Sequence, residues 1–158
     1  MAINFCRKAK KSKFKKSRVG SVTDVQVGER IGKGNFGEVY KGLWRGVPIA
    51  VKKVPAHNIN EQFLKDFHRE LTLMKSLRHP NVLQYLGSCT ILPDVCIITE
   101  FMPKGSLYAV LHDATQVLSW HLVRRMMMDA AAGCLYLHNS DPLIVHRDLK
   151  AIHNLLTH

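Results

Sequence analysis

The sequence of 158 residues contains no run of about 18 apolar residues, so no segment reads as a membrane-spanning helix. The six residues before the first charge are too few for the apolar core of a secretory signal, and Ala2 stands where N-myristoylation needs glycine. Four cysteines (Cys6, Cys89, Cys96, Cys134) include no CxxC pair, and nine histidines form no HExxH, which argues against zinc and disulfide frameworks. Acidic residues are absent from the first 18 positions, where Arg7, Lys8, Lys10, Lys11, Lys13, Lys15, Lys16 and Arg18 fall. The rest of the chain carries 15 of the 23 Lys and Arg and all 12 Asp and Glu, so the formal +11 belongs mostly to this arm. A basic arm on a nearly balanced body does not imply a nucleic-acid-binding domain, and no specific nucleic-acid partner is expected.

Residues 1–20 are too polar to fold alone and read as a disordered arm. Its charge suits a solvated linker, an anionic membrane surface or a nuclear-import patch, and Cys6 beside it is a candidate acylation site. The expected location is cytoplasmic, with membrane association through the arm as the variant. With 46% hydrophobic and 22% charged residues overall, the chain has ordinary globular usage, unlike collagen, disordered chains or disulfide scaffolds.

From Val25 to Glu100 the texture is strand-like. Five strands are predicted near 25–31, 38–43, 47–54, 82–86 and 95–99, from β-branched and aromatic runs bounded by Gly, Pro and Asn. One helix interrupts them: Phe63, Leu64, Phe67, Leu71, Met74 and Leu77 recur at helical steps, predicting a helix over about 60–77 that ends before His79 and Pro80. Beyond Pro103 and Gly105 the pattern turns helical, over 106–112 and about 120–138. Ser119 is the candidate cap, Met126, Ala130, Cys134 and Leu137 form the apolar stripe, and the Met126–Met128 run reads as core filling.

Gly32-Lys33-Gly34-Asn35-Phe36-Gly37 is a GxGxxG. In a dinucleotide-binding fold the third glycine opens a helix, whereas Glu38 to Lys41 reads as a strand, which favours a glycine-rich hairpin. Gly37 is followed by Glu38, so the string is no Walker loop. Glycines here would let backbone amides approach phosphate oxygens. Lys52 follows Ala50 and Val51 in an apolar strand and needs an anionic partner. Glu70 is the candidate, next to the apolar face of the long helix, and a solvated helix carboxylate is its other reading.

The string His146-Arg147-Asp148-Leu149-Lys150, followed by Asn154, completes an ordered set. With glycine loop, strand lysine and helix glutamate upstream, residues 24–158 resemble the protein kinase family. Leu43, Trp44, Arg45, Gly46, the run Arg78 to Asn81 and residues 100–107 are similar to its tyrosine-kinase-like group of serine/threonine kinases, which includes Raf-like and mixed-lineage enzymes.

The resemblance implies an α+β, protein-kinase-like fold: a five-stranded antiparallel N-lobe sheet with one αC-type helix over residues 24–101, and an incomplete helical C-lobe over 102–158. It implies ATP and Mg as cofactors and a protein substrate presenting Ser or Thr. Ile31, Gly32, Gly34 and Gly37 would cover the ATP phosphates, Lys52 would hold them, and Glu70 would fix Lys52. Val39 and Ala50 would roof the adenine, Thr99 would be the gatekeeper, and Glu100, Phe101 and Met102 the hinge. Ser106 would contact ribose and Leu156 would floor the pocket. Asp148 would be the catalytic base, Lys150 would neutralise the transferring phosphate, Asn154 would bind Mg, and Arg147 would reach an activation loop. Met74, Tyr85 and His146 would belong to a hydrophobic spine.

Two departures stand out. The family's metal-binding Asn lies five residues after the catalytic Asp, but His153 is there and Asn154 comes one residue late, a displacement of up to about 3.5 Å. A bulge absorbing that residue keeps Leu155 and Leu156 in register. Residues 151–158 also contain no DFG or APE triplet. The expectation is a kinase fragment inactive alone, with a helical part exposing apolar surface. The alternatives are a short nucleotide-binding pseudokinase or regulatory module, and a fragment of a receptor kinase.

Overall fold

A computed structural model describes residues 12–13, 25–34, 37–147 and 149. The chain divides into two compact units, one of Ala2–Leu77 with Gln84–Phe101, the other of Arg78–Leu83 with Met102–His158. Among the described residues, no helix is long and apolar enough to cross a membrane.

The first unit is one antiparallel sheet in the order β1-β2-β3-β4-β6-β5. The five strands expected from sequence are β2 (Val25–Gly34), β3 (Gly37–Trp44), β4 (Val47–Lys53), β5 (Tyr85–Cys89) and β6 (Cys96–Glu100). A two-residue strand, β1 (Ser12–Lys13), adds a sixth at the edge, opposite Val27 and Gln26. The rest of the basic arm lies outside the described residues. β3 and β4 join through Arg45 and Gly46, both at positive φ (51° and 83°), the left-handed pair of a tight two-residue hairpin. Pro48 is tolerated in β4 because β6 reaches only as far as Glu100, opposite Ile49, so Pro48 pairs with β3 alone.

Alternation divides the sheet into two faces. Val25, Val27, Ile49, Val51, Cys96 and Ile98 fill one, where Ile49 and Val51 are wholly buried. The opposite face receives α1 (Glu61–Ser76), whose Phe67 and Leu71 pack with Tyr85, Val95 and Ile97. Asn60 caps α1, its Oδ1 accepting the Phe63 N–H at 2.8 Å.

The fourth expected strand is displaced. Residues 82–86 were the apolar run, but the ladder with β6 takes Tyr85 to Cys89, because Ser88 and Cys89 face Ile97 and Cys96. Both are polar or small residues that alternation alone leaves out.

In the second unit, α2 (Leu107–Leu111) is capped by Ser106 and α3 (Trp120–His138) by Ser119, whose Oγ accepts the Leu122 N–H at 3.3 Å. A Cβ on Gly133 would lie 2.7 Å from the Asn81 carbonyl oxygen, so α3 lies directly against the segment 78–83. Tyr136 completes the contact: its ring stacks on His79 with centroids 4.8 Å apart, and its hydroxyl accepts the Arg78 N–H at 2.9 Å. The methionine run does not fill a core as a unit. Met126 is half-buried while Met127 and Met128 are exposed, since successive helical residues point about 100° apart. Trp120 and Leu135 are exposed on the same helix.

Candidate active site

Directly opposed residues of an antiparallel sheet project to the same side. Gly32 faces Val39, Val39 faces Lys52, and Lys52 faces Ile97, so these four form one row across four strands. The adjacent row is Lys41, Ala50, Thr99 and Tyr85. The register therefore brings Gly32, Val39, Ala50, Lys52 and Thr99 to one face, the face on which α1 packs. The core residues Ile49 and Val51 point the other way.

The glycine string is the tip of the β2–β3 hairpin, with Gly34 opposite Gly37; Asn35 and Phe36 lie outside the described residues. Gly37 has φ +123°, and a Cβ there would lie 2.0 Å from the Lys53 carbonyl oxygen. The tip is thus pressed onto β4 as no side chain would allow. Ile31, immediately before the glycine string, is half-buried.

Lys52 is half-buried, and burial lowers its pKa from the ordinary 10.5, an effect partly countered by the charge of Glu70. Glu70 lies on the exposed side of α1, one residue before buried Leu71. Glu70 is thus exposed to solvent, and its charge favours protonated Lys52 against the effect of burial.

Thr99 is buried, and its Oγ1 donates to the Glu100 carbonyl oxygen at 3.2 Å. The Glu100 side chain is already engaged: Oε1 accepts the Gln84 N–H at 2.7 Å, while the Glu100 N–H donates to the Gln84 oxygen at 3.1 Å. Met102 belongs to the second unit, where its carbonyl accepts the Gly105 N–H at 3.2 Å. Ser106 is buried as the cap of α2, its Oγ accepting the Ala109 N–H at 3.3 Å. That structural bond occupies one lone pair of the hydroxyl assigned to ribose.

Asp148, Lys150, Asn154 and Leu156, with His153, lie outside the described residues. Just before them, Arg147 adopts φ 60°, a left-handed conformation that costs a residue with a side chain about 1–2 kcal/mol. Among the described residues, no three His, Cys, Asp or Glu side chains gather as metal ligands would.

Sequence reasoning missed two sets of supporting residues. Glu38, immediately after the glycine string, is held by the Arg30 guanidinium and by the Tyr40 hydroxyl at 2.6 Å. The Tyr40 bond, followed by that of Arg30, lowers the Glu38 pKa despite partial burial, while burial and the same carboxylate raise that of Tyr40. The i, i+2 spacing of Glu38 and Tyr40 was the available signal, since it puts them on one face of a strand. Lys41 holds its ammonium 4.7 Å from the centre of the Phe101 ring, a contact only the register exposes.

A family model described as protein tyrosine and serine/threonine kinase matches residues 25–158. The chain is 62% identical over 151 residues to the probable serine/threonine-protein kinase drkB of Dictyostelium discoideum, covering 94% of this chain and 22% of that protein. It is 64% identical over 135 residues to drkA of the same organism, described in the same words, covering 85% of this chain and 21% of the relative. Against the probable serine/threonine-protein kinase SIS8 of Arabidopsis thaliana, identity is 46% over 128 residues, 81% of this chain and 12% of the other. The chain thus spans about a fifth of the length of the two Dictyostelium relatives.

Proposed function

This chain belongs to the protein tyrosine and serine/threonine kinase family, and we propose on that premise that it carries the ATP-binding lobe and catalytic loop of a serine/threonine kinase. In this reading residues 24–101 are the N-lobe and 102–158 the first part of the C-lobe. The protein of which it forms a part transfers the γ-phosphoryl group of ATP to Ser or Thr hydroxyls. The names of the relatives support the Ser/Thr preference, as does Lys150 two residues after Asp148. Assignment to the tyrosine-kinase-like group rests on Leu43 to Gly46 and Arg78 to Asn81 and is part of the proposal.

The observation that carries it is the single face shared by Gly32, Val39, Ala50, Lys52 and Thr99. These residues fit a nucleotide. The hairpin tip closes on β4 without a side chain at Gly37, so backbone amides can approach phosphate oxygens. Lys52 offers a cation with reduced hydration and a carboxylate to position it. Buried Val39 and half-buried Ala50 supply apolar surface for a base. Glu100 contributes to a hinge through its backbone, since its carboxylate is bonded to Gln84. In the catalytic loop, Asp148 orients the substrate hydroxyl, Lys150 neutralises developing charge, and Asn154 is the proposed Mg ligand. Mg²⁺, when bound, neutralises phosphate charge during transfer. The left-handed Arg147 supports a loop whose backbone is held for function rather than for stability.

The polypeptide 1–158 on its own binds Mg-ATP weakly and does not turn it over. Its thermal midpoint should rise with millimolar Mg-ATP and not rise in Lys52→Ala. A monodisperse, folded wild type with no shift would sink the nucleotide reading. The one-residue offset of Asn154 favours a second reading, a nucleotide-binding module without transfer. Transfer of labelled γ-phosphate to a Ser/Thr peptide by the full-length protein, lost in Asp148→Asn, would remove that alternative.

A further inference from the structure

β5 and β6 set Cys89 directly opposite Cys96. Facing residues in an antiparallel pair have Cα atoms about 4.5–5.5 Å apart, inside the window of about 4.4–6.8 Å that a disulfide spans. Both cysteines are free thiols. Cys96 is 1% exposed within the core of Val25, Val27, Ile49, Val51 and Ile98, and half-buried Cys89 packs against the same cluster. The two sulfurs therefore share the face of the sheet opposite the Lys52 row. Cys89 stands at the start of the turn, its Sγ 3.9 Å from the Ile91 carbonyl oxygen, and exposed Ile91 and Leu92 follow it. Cys134, in contrast, is alone on α3.

We propose that Cys89 and Cys96 form a dithiol site that hydrogen peroxide oxidises to an intrachain disulfide across the β5–β6 turn. The more accessible Cys89 reacts first. Its thiolate attacks one peroxide oxygen, an S–O bond forms as the O–O bond breaks, and the departing hydroxide takes up the thiol proton as water. Cys96 then attacks the sulfenic sulfur; the S–S bond forms, the S–O bond breaks, and the hydroxyl leaves with the Cys96 proton as a second water. Two thiols lose two electrons in all, and one peroxide becomes two waters. Burial pushes the Cys96 thiol up to about 11, which keeps it protonated at neutral pH and leaves the first attack on peroxide to Cys89. The site is independent of phosphoryl transfer. The strand that carries Cys96, β6, ends at Glu100 of the proposed hinge.

Peptide mapping of the folded 158-residue chain tests the proposal. No Lys or Arg lies between His79 and Lys104, so trypsin releases both cysteines in one peptide. After peroxide and then alkylation, that peptide should be lighter by two hydrogens and carry no label. Cleavage before Asp94 should leave its halves joined until a reductant is added. In Cys96→Ala, dimedone should trap Cys89 as sulfenic acid, and in Cys89→Ala the same peroxide dose should leave Cys96 alkylatable. Two alkylated cysteines in the wild-type peptide, or Cys89 carried to sulfinic acid with Cys96 still free, would overturn the proposal. If Cys96→Ala does not fold, the wild-type map and Cys89→Ala decide.

Discussion

Gly37 and Gly46 both sit at positive φ, which makes them a matched pair for replacement by alanine. Gly46 has φ +83° and no atom within 4 Å of a built Cβ. Its replacement meets only the left-handed penalty of about 1–2 kcal/mol, part of which is offset by about 0.4–1 kcal/mol of reduced unfolded-state entropy. Gly46→Ala should therefore cost about 0.5–1 kcal/mol. At Gly37, φ +123° lies outside the left-handed well, and the Cβ would be 2.0 Å from the Lys53 oxygen and 3.0 Å from its carbonyl carbon. Relief requires β3 and β4 to part where Glu38 faces Lys53. That adds backbone hydrogen bonds worth about 0.5–1.5 kcal/mol each to strain of about 1–3 kcal/mol. Gly37→Ala should accordingly cost about 3 kcal/mol, some 2 kcal/mol more than its partner. Urea unfolding followed by tryptophan fluorescence measures both. Trp44 on β3 is the reporter, and Trp120, 77% exposed, changes little on unfolding. A Gly37→Ala midpoint within error of that of Gly46→Ala, at equal slope, would refute the reasoning.

Three further outcomes follow from other groups. Burial lowers the pKa of Lys52, so the unfolded chain binds more protons between that lowered value and 10.5, and stability should rise with pH across this window. Lys52→Met should be more stable than wild type at neutral pH and lack that alkaline rise, measured by urea midpoints from pH 7 to 10.5. Glu38 gives a rise with pH as well, in the acid range: its pKa is lowered from 4.5, so its contribution is present above that value and lost as pH falls through the lowered native one. Glu38→Gln should flatten this acid limb in urea midpoints measured below pH 4.5. Asn60→Ala removes the cap bond to Phe63 and should cost about 1 kcal/mol with the urea slope unchanged.

Much of this architecture was legible in the sequence because burial imposes periodicity. The helix bounded by Asn60 and Leu77, and the pair capped by Ser106 and Ser119, follow from apolar spacing joined to a capping side chain. The strand around Tyr85 was misplaced because its pairing with β6 outweighs local composition, and Ser88 and Cys89 gain their place only from their partners. Met127 and Met128 were misread because hydrophobicity says nothing about direction around a helix axis. The candidate site divides the same way. Gly37 and Lys52 are legible because each is unusual for its neighbourhood, a glycine where the chain turns and a cation in an apolar strand. The hold of Arg30 and Tyr40 on Glu38 was not, since three ordinary polar residues carry no mark until the hairpin closes.

The parity of β4 has a genetic consequence. Ile49 and Val51 point into one core while Ala50 and Lys52 point to the opposite face, so the strand tolerates substitutions unequally but tolerates a lost codon least of all. Deleting Val51 would shift Lys52 into the slot of a wholly buried side chain, while Lys53 would take its place in the Lys52 row. Surviving length variation among related genes should therefore avoid 49–52 and collect at segments, such as the β5–β6 turn, that carry no such parity.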